Sequence, residues 1–315
     1  MNALGLSRDF FLETALPALR REYPALAERA AAGLAGNGSE CFGYDDALSR
    51  DHDWGVDFFL WLPEADRGAV PALQVWKARV LTEVPPEFRR VRTEHGAAVG
   101  VMTVGDFYRS LTGCEEGPSR LAEWLAVPED NLAMAVNGAV FWDPAGEFGR
   151  VRQRLLGHYP EDLRLKRIAA ACIAAAQTGQ YNLGRMAARQ DWVTVRTILS
   201  RFTGAVIELA FLLNKRYKPY YKWAYRALGE LPLLGGALSG LLLELAQVPG
   251  LDPAAVRAQQ ALAEEICRLL AAELRRQGLS DETDDFLTLH GEAVQRGIGD
   301  PRLRDLPAQY DPCRV

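Results

Sequence analysis

The period of the apolar positions changes near the middle of the chain. Residues 7–22 place Leu12, Leu16 and Leu19 at helical spacing behind Ser7, a candidate N-cap, with Pro17 and Pro24 limiting the regularity. The Ala-rich run 30–35 fits helix or strand, because Gly33 interrupts it, and it leads into the turn cluster Gly36-Asn37-Gly38-Ser39. Residues 56–62 form the clearest strand pattern: apolar except for Asp57, opened by Gly55 and closed by Pro63. Residues 64–81 read as mostly helical despite Pro71, and Pro85-Pro86 then breaks the chain. A second β-like run covers 97–104, after which Gly105-Asp106 caps a segment with Phe107, Tyr108 and Leu111. Residues 136–148 predict a hairpin, with Ala139-Val140-Phe141-Trp142 followed by the turn Asp143-Pro144-Ala145-Gly146.

Beyond residue 160 the strand signals stop. Trp192, Val195, Leu199, Phe202, Val206, Leu209 and Leu213 alternate steps of three and four, the signature of one helix face. Residues 253–277 form a second long helical pattern. The pattern therefore predicts an α+β protein: an α/β domain over 1–155, an all-helical domain over 156–300 and a loose tail over 301–315. With 315 residues, 49% hydrophobic and 24% charged, both domains have enough apolar material to build a core without staples.

Charge and cysteine usage narrow the function classes. A net charge of -5 argues against a bulk nucleic-acid or anionic-membrane binder, which needs a broad cationic surface. Five scattered cysteines without CxxC spacing fit free thiols and give no zinc signature. The apolar run 231–243 has 13 residues with Pro232 and three glycines, against the roughly 20 that a membrane span requires. Arg8-Asp9 falls where a secretory apolar core would begin, so the expectation is a soluble, cytoplasmic protein.

The candidate chemistry lies in residues 38–55. Asp51 and Asp53 are two positions apart at the expected entry to the 56–62 strand, where alternation would aim both side chains to one side, roughly 6–7 Å apart at the backbone. Like charges that close repel unless a cation sits between them, and Mg2+ takes carboxylates while leaving room for substrate phosphates. Upstream, Gly38-Ser39 offers an unhindered backbone and a hydroxyl at a tight turn, suited to a phosphate. Gly-Ser, a spacer and Asp-x-Asp opening an apolar strand together resemble the nucleotidyltransferase superfamily of polymerase-β-like fold. There Gly-Ser holds the triphosphate and the aspartates hold metal ions. Arg50 between Ser49 and Asp51 departs slightly from the common Ser-Asp-x-Asp form.

A closer resemblance rests on Gly38-Ser39, Gly43-Tyr44-Asp45-Asp46, Ser49-Arg50-Asp51-His52-Asp53-Trp54-Gly55, Gln180-Tyr181-Asn182 and the run 213–223. These are similar to a bacterial domain-of-unknown-function family (four-zero-three-seven) within that superfamily, over roughly residues 5–230. The resemblance implies an N-terminal nucleotidyltransferase domain with Asp51 and Asp53 as catalytic metal ligands and Gly38 and Ser39 at the nucleotide. It implies no particular acceptor.

Residue by residue, bland readings compete. Asp45 and Asp46 are read as shaping the connecting turn, His52 as structural and Trp54 as packing; Arg50 either reaches a phosphate or pairs with a nearby Asp. No acid lies within 97–104, so a third metal ligand is sought at Asp106 or Glu94, then at Asp143, which reads first as a turn residue; Asp57 reads as an outer or structural acid. Residues 215–226 hold five basic side chains, five aromatics and no acid, and three of the chain's five lysines. That cluster is either a polyanion site, with Lys215 and Lys222 reaching nucleotide phosphates across a cleft between the domains, or an ordinary solvated helix start. Glu208 is a candidate base, more simply read as salt-bridged; Gln180, Asn182 and Arg185 are cleft-lining groups or caps. The expected reaction takes an NTP, with Mg2+ or Mn2+, and transfers NMP to an acceptor hydroxyl, a small molecule in preference to RNA or protein, releasing pyrophosphate. A non-catalytic nucleotide sensor or antitoxin-like interaction module is the alternative.

Overall fold

The computed structural model describes residues 2–50, 54–90, 99–250 and 252–313, together with the backbone of Asp51. The chain is α+β and separates into two compact units, Met1–Gly157 and His158–Val315. All strands among the described residues belong to the first unit.

That unit starts with a helical stretch: α1 (Ala3–Phe10), a π-helical turn (Phe11–Ala15), α2 (Leu16–Glu22) and the short α3 (Pro24–Ala27). The sequence placed its start at Ser7, but Asn2 is the N-cap and accepts from the Gly5 N–H. Ser7 is buried instead, and its hydroxyl accepts from the Asp57 N–H. Pro17 lacks an N–H, and the wide π turn directly before α2 lets the helix continue past it.

The ambiguous Ala-rich run is β1 (Ala31–Leu34), an interior strand. It pairs antiparallel with β2 (Phe59–Leu62) and with β4 (Ala139–Trp142), and β2 pairs parallel with β3 (Val101–Thr103), giving the order β3-β2-β1-β4. Small residues in β1 permit close neighbours: a side-chain carbon on Gly33 would collide with the Ala139 carbonyl oxygen. The strand expected over 56–62 is shorter, since Val56 makes only an isolated parallel bridge to Arg89 before β2 begins. Both faces of β2 are buried, which explains its unbroken apolar run. Leu60 and Leu62 join Phe11, Leu19, Leu73 and Trp76 in a core under the first helices and α4 (Val70–Val80). On the other face Trp61 stacks on Phe148 at 3.8 Å and meets Phe107 edge-on at 5.2 Å.

After β3 come α5 (Val104–Thr112), α6 (Leu121–Ala126) and α7 (Glu129–Val136). The predicted hairpin over 136–148 does not form. β4 pairs with β1, and the following turn opens α8 (Glu147–Leu156), because Asp143 accepts from the Gly149 N–H and Gly146 adopts φ +71° ahead of the helix.

Every regular element among the described residues of the second unit is a helix: α9 (Glu161–Ala175), a π-helical segment (Ala176–Asn182), α10 (Leu183–Ala188), α11 (Trp192–Leu213), α12 (Tyr221–Leu228), α13 (Gly235–Gln247), α14 (Pro253–Arg276), α15 (Leu287–Arg296) and α16 (Pro301–Arg304). The two long helices read from the sequence, α11 and α14, are present. Every residue from Lys166 to Ile173 is buried, so α9 is covered on all sides. Its neighbour α15 approaches closely at Gly291, where a Cβ would stand 2.8 Å from the Ala169 carbonyl oxygen. No helix among the described residues is long and apolar enough to cross a membrane.

The segment 301–313 is packed rather than loose. Buried Lys166 donates to Gln295 Oε1 at 3.0 Å and to the Pro307 and Ala308 carbonyls at 2.7 and 3.2 Å. Arg167 meets Glu208 at 3.1 Å and Asp311 at 3.3 Å, with all three side chains at most 4% exposed. Sequence patterning misses this because the anchors are buried charges on a helix and in the tail, not an apolar stripe. Asp311→Ala should lower unfolding free energy on the order of 2 kcal/mol, since Arg167 keeps Glu208; a fully broken buried pair costs about 3–5 kcal/mol. Urea unfolding reads it, and a change within about 0.5 kcal/mol would mean that the tail carries no such anchor.

Burial lowers the Lys166 ammonium to a pKa of about 8. From there up to the ordinary lysine value the unfolded chain binds more protons than the folded one, so this group adds stability as pH rises. The stability margin of the parent over Lys166→Met should therefore widen between pH 8 and pH 10 in paired melts, and a constant margin would contradict it.

Candidate functional site

The segment after β1 is a sequence of tight turns. Gly36 and Gly38 adopt φ of +109° and +146°, backbone that only glycine takes without strain. Ser39 follows in helical conformation and heads the 3-10 turn Glu40–Phe42, its carbonyl accepting from the Phe42 and Tyr44 N–H groups. The turn is clamped to the start of β4. Asn137 accepts from the Gly36 N–H at 2.8 Å and donates to the Gly36 carbonyl at 2.9 Å, while the Gly138 N–H donates to the Cys41 carbonyl at 2.7 Å. Arg152 fixes that corner in turn by donating to the carbonyls of Val136, Asn137 and Gly138. Sequence reading passed over Asn137 and Arg152; the one available signal was Asn-Gly at the head of a strand.

Below the turn lies a buried ion pair. Arg90 donates to Glu40 Oε1 at 2.8 Å, with both side chains at most 6% exposed. Burial pushes the Glu40 carboxyl up against the pull of Arg90. Neither residue was singled out in the sequence, where an acid in a turn and an arginine 50 positions later carry no pattern. Cys41 is buried next to them and burial pushes its thiol up, so it is no thiolate nucleophile.

Asp45 and Asp46 have the structural roles expected of them. Asp45 accepts from the Ala3 N–H and from Trp54 Nε1, and Asp46 accepts from the N–H groups of Leu48 and Ser49. Trp54 is buried, and the Arg50 guanidinium lies over its ring at 4.6 Å. Asp51 ends the 3-10 turn Leu48–Asp51 rather than lying in a strand, so the strand alternation read for it does not apply. The Asp51 side chain, His52, Asp53 and Glu94 are outside the described residues. Asp57 is a buried structural acid, 2.6 Å from Lys77 Nζ, which also donates to the Val99 carbonyl.

The remaining third-ligand candidates are committed elsewhere. Asp106 accepts from Arg67 at 2.7 and 3.0 Å and from Arg109 at 3.3 Å, and Arg67 holds its carboxyl below the ordinary aspartate value. Asp143 caps α8. Among the described residues no group of three or more His, Cys, Asp or Glu side chains is placed to hold a metal ion.

In the second unit Lys215 sits at φ +50° just past α11, its ammonium 3.6 Å from Glu161. Lys222 is exposed in the first turn of α12, 5.0 Å from the Trp223 ring. Glu208 is salt-bridged to Arg167 and buried, which removes it as a general base. Gln180 is a tether: it donates to Glu264 and the Asp285 carbonyl and accepts from the Leu287 N–H at the start of α15. Arg185 stacks on Tyr181 at 4.8 Å.

Residues 124–224 match the model of an uncharacterised family, described as Domain of unknown function (DUF4037). The match takes in Gln180-Tyr181-Asn182 and all of the 213–223 run, and it begins well after the Gly38–Gly55 segment. No curated protein and no solved structure matches the chain.

A side chain at position 38 would meet the Glu40 carboxylate at 2.6 Å and would have to hold φ +146°. Gly38→Ala should therefore destabilise by about 1–3 kcal/mol. Gly43→Ala, with a positive φ but nothing within 4 Å of the added carbon, should cost less. Chemical denaturation of the two variants checks the order, and equal losses would show that Glu40 does not fill the space under the turn.

Proposed function

We propose that the chain binds a nucleoside triphosphate at the 36–39 turn and transfers its NMP to an acceptor hydroxyl, a small molecule in preference to RNA or protein, with release of pyrophosphate. What supports the reading is the turn itself: two positive-φ glycines and a serine directly after a buried strand, fixed by the Asn137 clamp. Without a Cβ at Gly36, where an added carbon would meet nothing within 4 Å, the backbone admits a phosphate at close range, and the Ser39 hydroxyl is a donor for it. A loop held from two sides also loses little entropy when a ligand orders it.

The described residues do not complete a metal site, so Mg2+ enters this reading only as the ion assigned to Asp51 and Asp53. When bound it would neutralise charge on the transferring phosphoryl group. Lys222 remains in the reading as an exposed cation; Lys215 is already near Glu161.

A second reading, a nucleotide-binding module without turnover, is favoured by one observation. Asp106, the first candidate for a third acid that has a described position, is held by Arg67 through two hydrogen bonds. A metal would have to displace that guanidinium.

Melting curves with and without Mg-ATP test the binding half. Mg-ATP should raise the Tm of the parent, by mass action equivalent to about 2.7 kcal/mol at a hundredfold excess over Kd. Asp53→Asn should abolish the shift while leaving the ligand-free Tm unchanged or higher, because it removes like-charge repulsion. A variant that melts well below the parent yet keeps the shift would make Asp53 scaffolding. Pyrophosphate release with each NTP and pooled acceptors then separates transfer from binding alone.

A further inference from the structure

The second unit contains a cavity of about 440 Å3 between α11, α12, α13 and α14. That lies in the lower half of the range for ligand pockets, about 300–1,000 Å3. Leu242 and Leu245 of α13 are buried in its wall, Leu199 of α11 is half-buried there, and Leu243 borders it 47% exposed. Gln259 of α14 also borders it, but that residue is 1% exposed and shows the cavity almost no surface. Tyr225 of α12 spends its hydroxyl on the Ser239 carbonyl at 2.9 Å. Branched aliphatic side chains therefore dominate the wall, which suits a single hydrocarbon chain.

The exposed rim carries charge of one sign. Arg196 and Ser200 are both exposed and lie four positions apart on α11, so their side chains are neighbours on one helix face and within reach of one ligand group. Among the described residues neither side chain has an ion pair or a hydrogen bond. No acid borders the cavity. A guanidinium with its donors open to solvent matches a planar oxyanion, which takes two parallel hydrogen bonds from the fork. An ammonium group would be repelled, and an alcohol would use only part of the fork.

We propose that this cavity binds an aliphatic monocarboxylate of medium chain length, its tail against Leu199, Leu242 and Leu245 and its carboxylate accepting from Arg196 and Ser200. None of the residues given to the nucleotide lines the cavity, so the site is independent of nucleotidyl transfer.

Titration calorimetry of the full chain compares octanoate with butyrate, which lacks most of the tail, and with 1-octanol, which lacks the charge. Octanoate should bind more tightly than butyrate by about fourfold per added methylene that is buried. It should bind about fivefold more tightly than 1-octanol, the upper end for an exposed charge pair. Arg196→Gln should remove the advantage over 1-octanol and leave 1-octanol unchanged. Arg201→Gln, at an exposed arginine of α11 that does not border the cavity, should change neither. Ala246→Trp, which fills the cavity from an exposed position on α13, should abolish binding of octanoate; if that variant does not fold, the chain-length series of the parent decides. Octanoate no tighter than 1-octanol, or equal losses in the two arginine variants, would overturn the carboxylate class. Butyrate as tight as octanoate would overturn the place of the tail, and no heat at millimolar octanoate would overturn the site. A homodimer that Ala246→Trp splits, without octanoate binding, would instead make the cavity a seat for a second copy of the chain.

Discussion

The close contact of β1 with β4 is the constraint on which the first unit depends. A side-chain carbon on Gly138 would collide with the Leu34 carbonyl oxygen, and one on Gly33 with that of Ala139. The two backbones approach so nearly only because both positions lack a Cβ. That approach places Asn137 against Gly36 and Gly138 against Cys41, so the loop after β1 inherits its shape from the strand pair rather than from its own turn residues. The same pairing puts β1 inside the sheet, where the bulkier β2 supplies side chains to both cores.

Buried charge is the second organising theme. Of the five lysines, Lys77 and Lys166 are buried, each donating to main-chain carbonyls of a distant segment. Glu40–Arg90 and Arg167 with Glu208 and Asp311 do comparable work between segments far apart in sequence. Such groups add little net stability over apolar substitutes, but removing one partner is costly. They therefore fix which segments meet more than how tightly the units hold.

Much of the fold was legible because it rests on periodicity. The stripe from Trp192 to Leu213 and the pattern over 253–277 gave α11 and α14 nearly to the residue. Residues 31–34 were ambiguous, because a strand of Ala and Gly has no alternation to read; its identity comes from partners far away in sequence. The hairpin over 136–148 failed for a related reason: a strand followed by a turn signal does not say which strand it will pair with. At the candidate site the sequence correctly marked Gly38 and Ser39 as one turn and Asp46 as turn-shaping, whereas Asp45 ties the segment to Ala3 and Trp54. It could not show that Asp106 belongs to Arg67 or that Glu40 and Arg90 meet, since each is a tertiary contact between residues with no local pattern.

The π-helical segment at Ala176–Asn182 has a consequence for how the second unit tolerates change in chain length. Each such turn holds an extra residue relative to an α-helix, and neighbouring α-helical residues differ in direction by about 100°. Deleting one residue there would regularise the hydrogen bonding, which on local grounds is an improvement. It would also swing Gln180 away from Glu264, the Asp285 carbonyl and the Leu287 N–H, untying the loop that leads into α15. The irregular turn thus acts as a phase adjuster: local helical order is given up so that one amide points at a loop more than a hundred residues further along the chain.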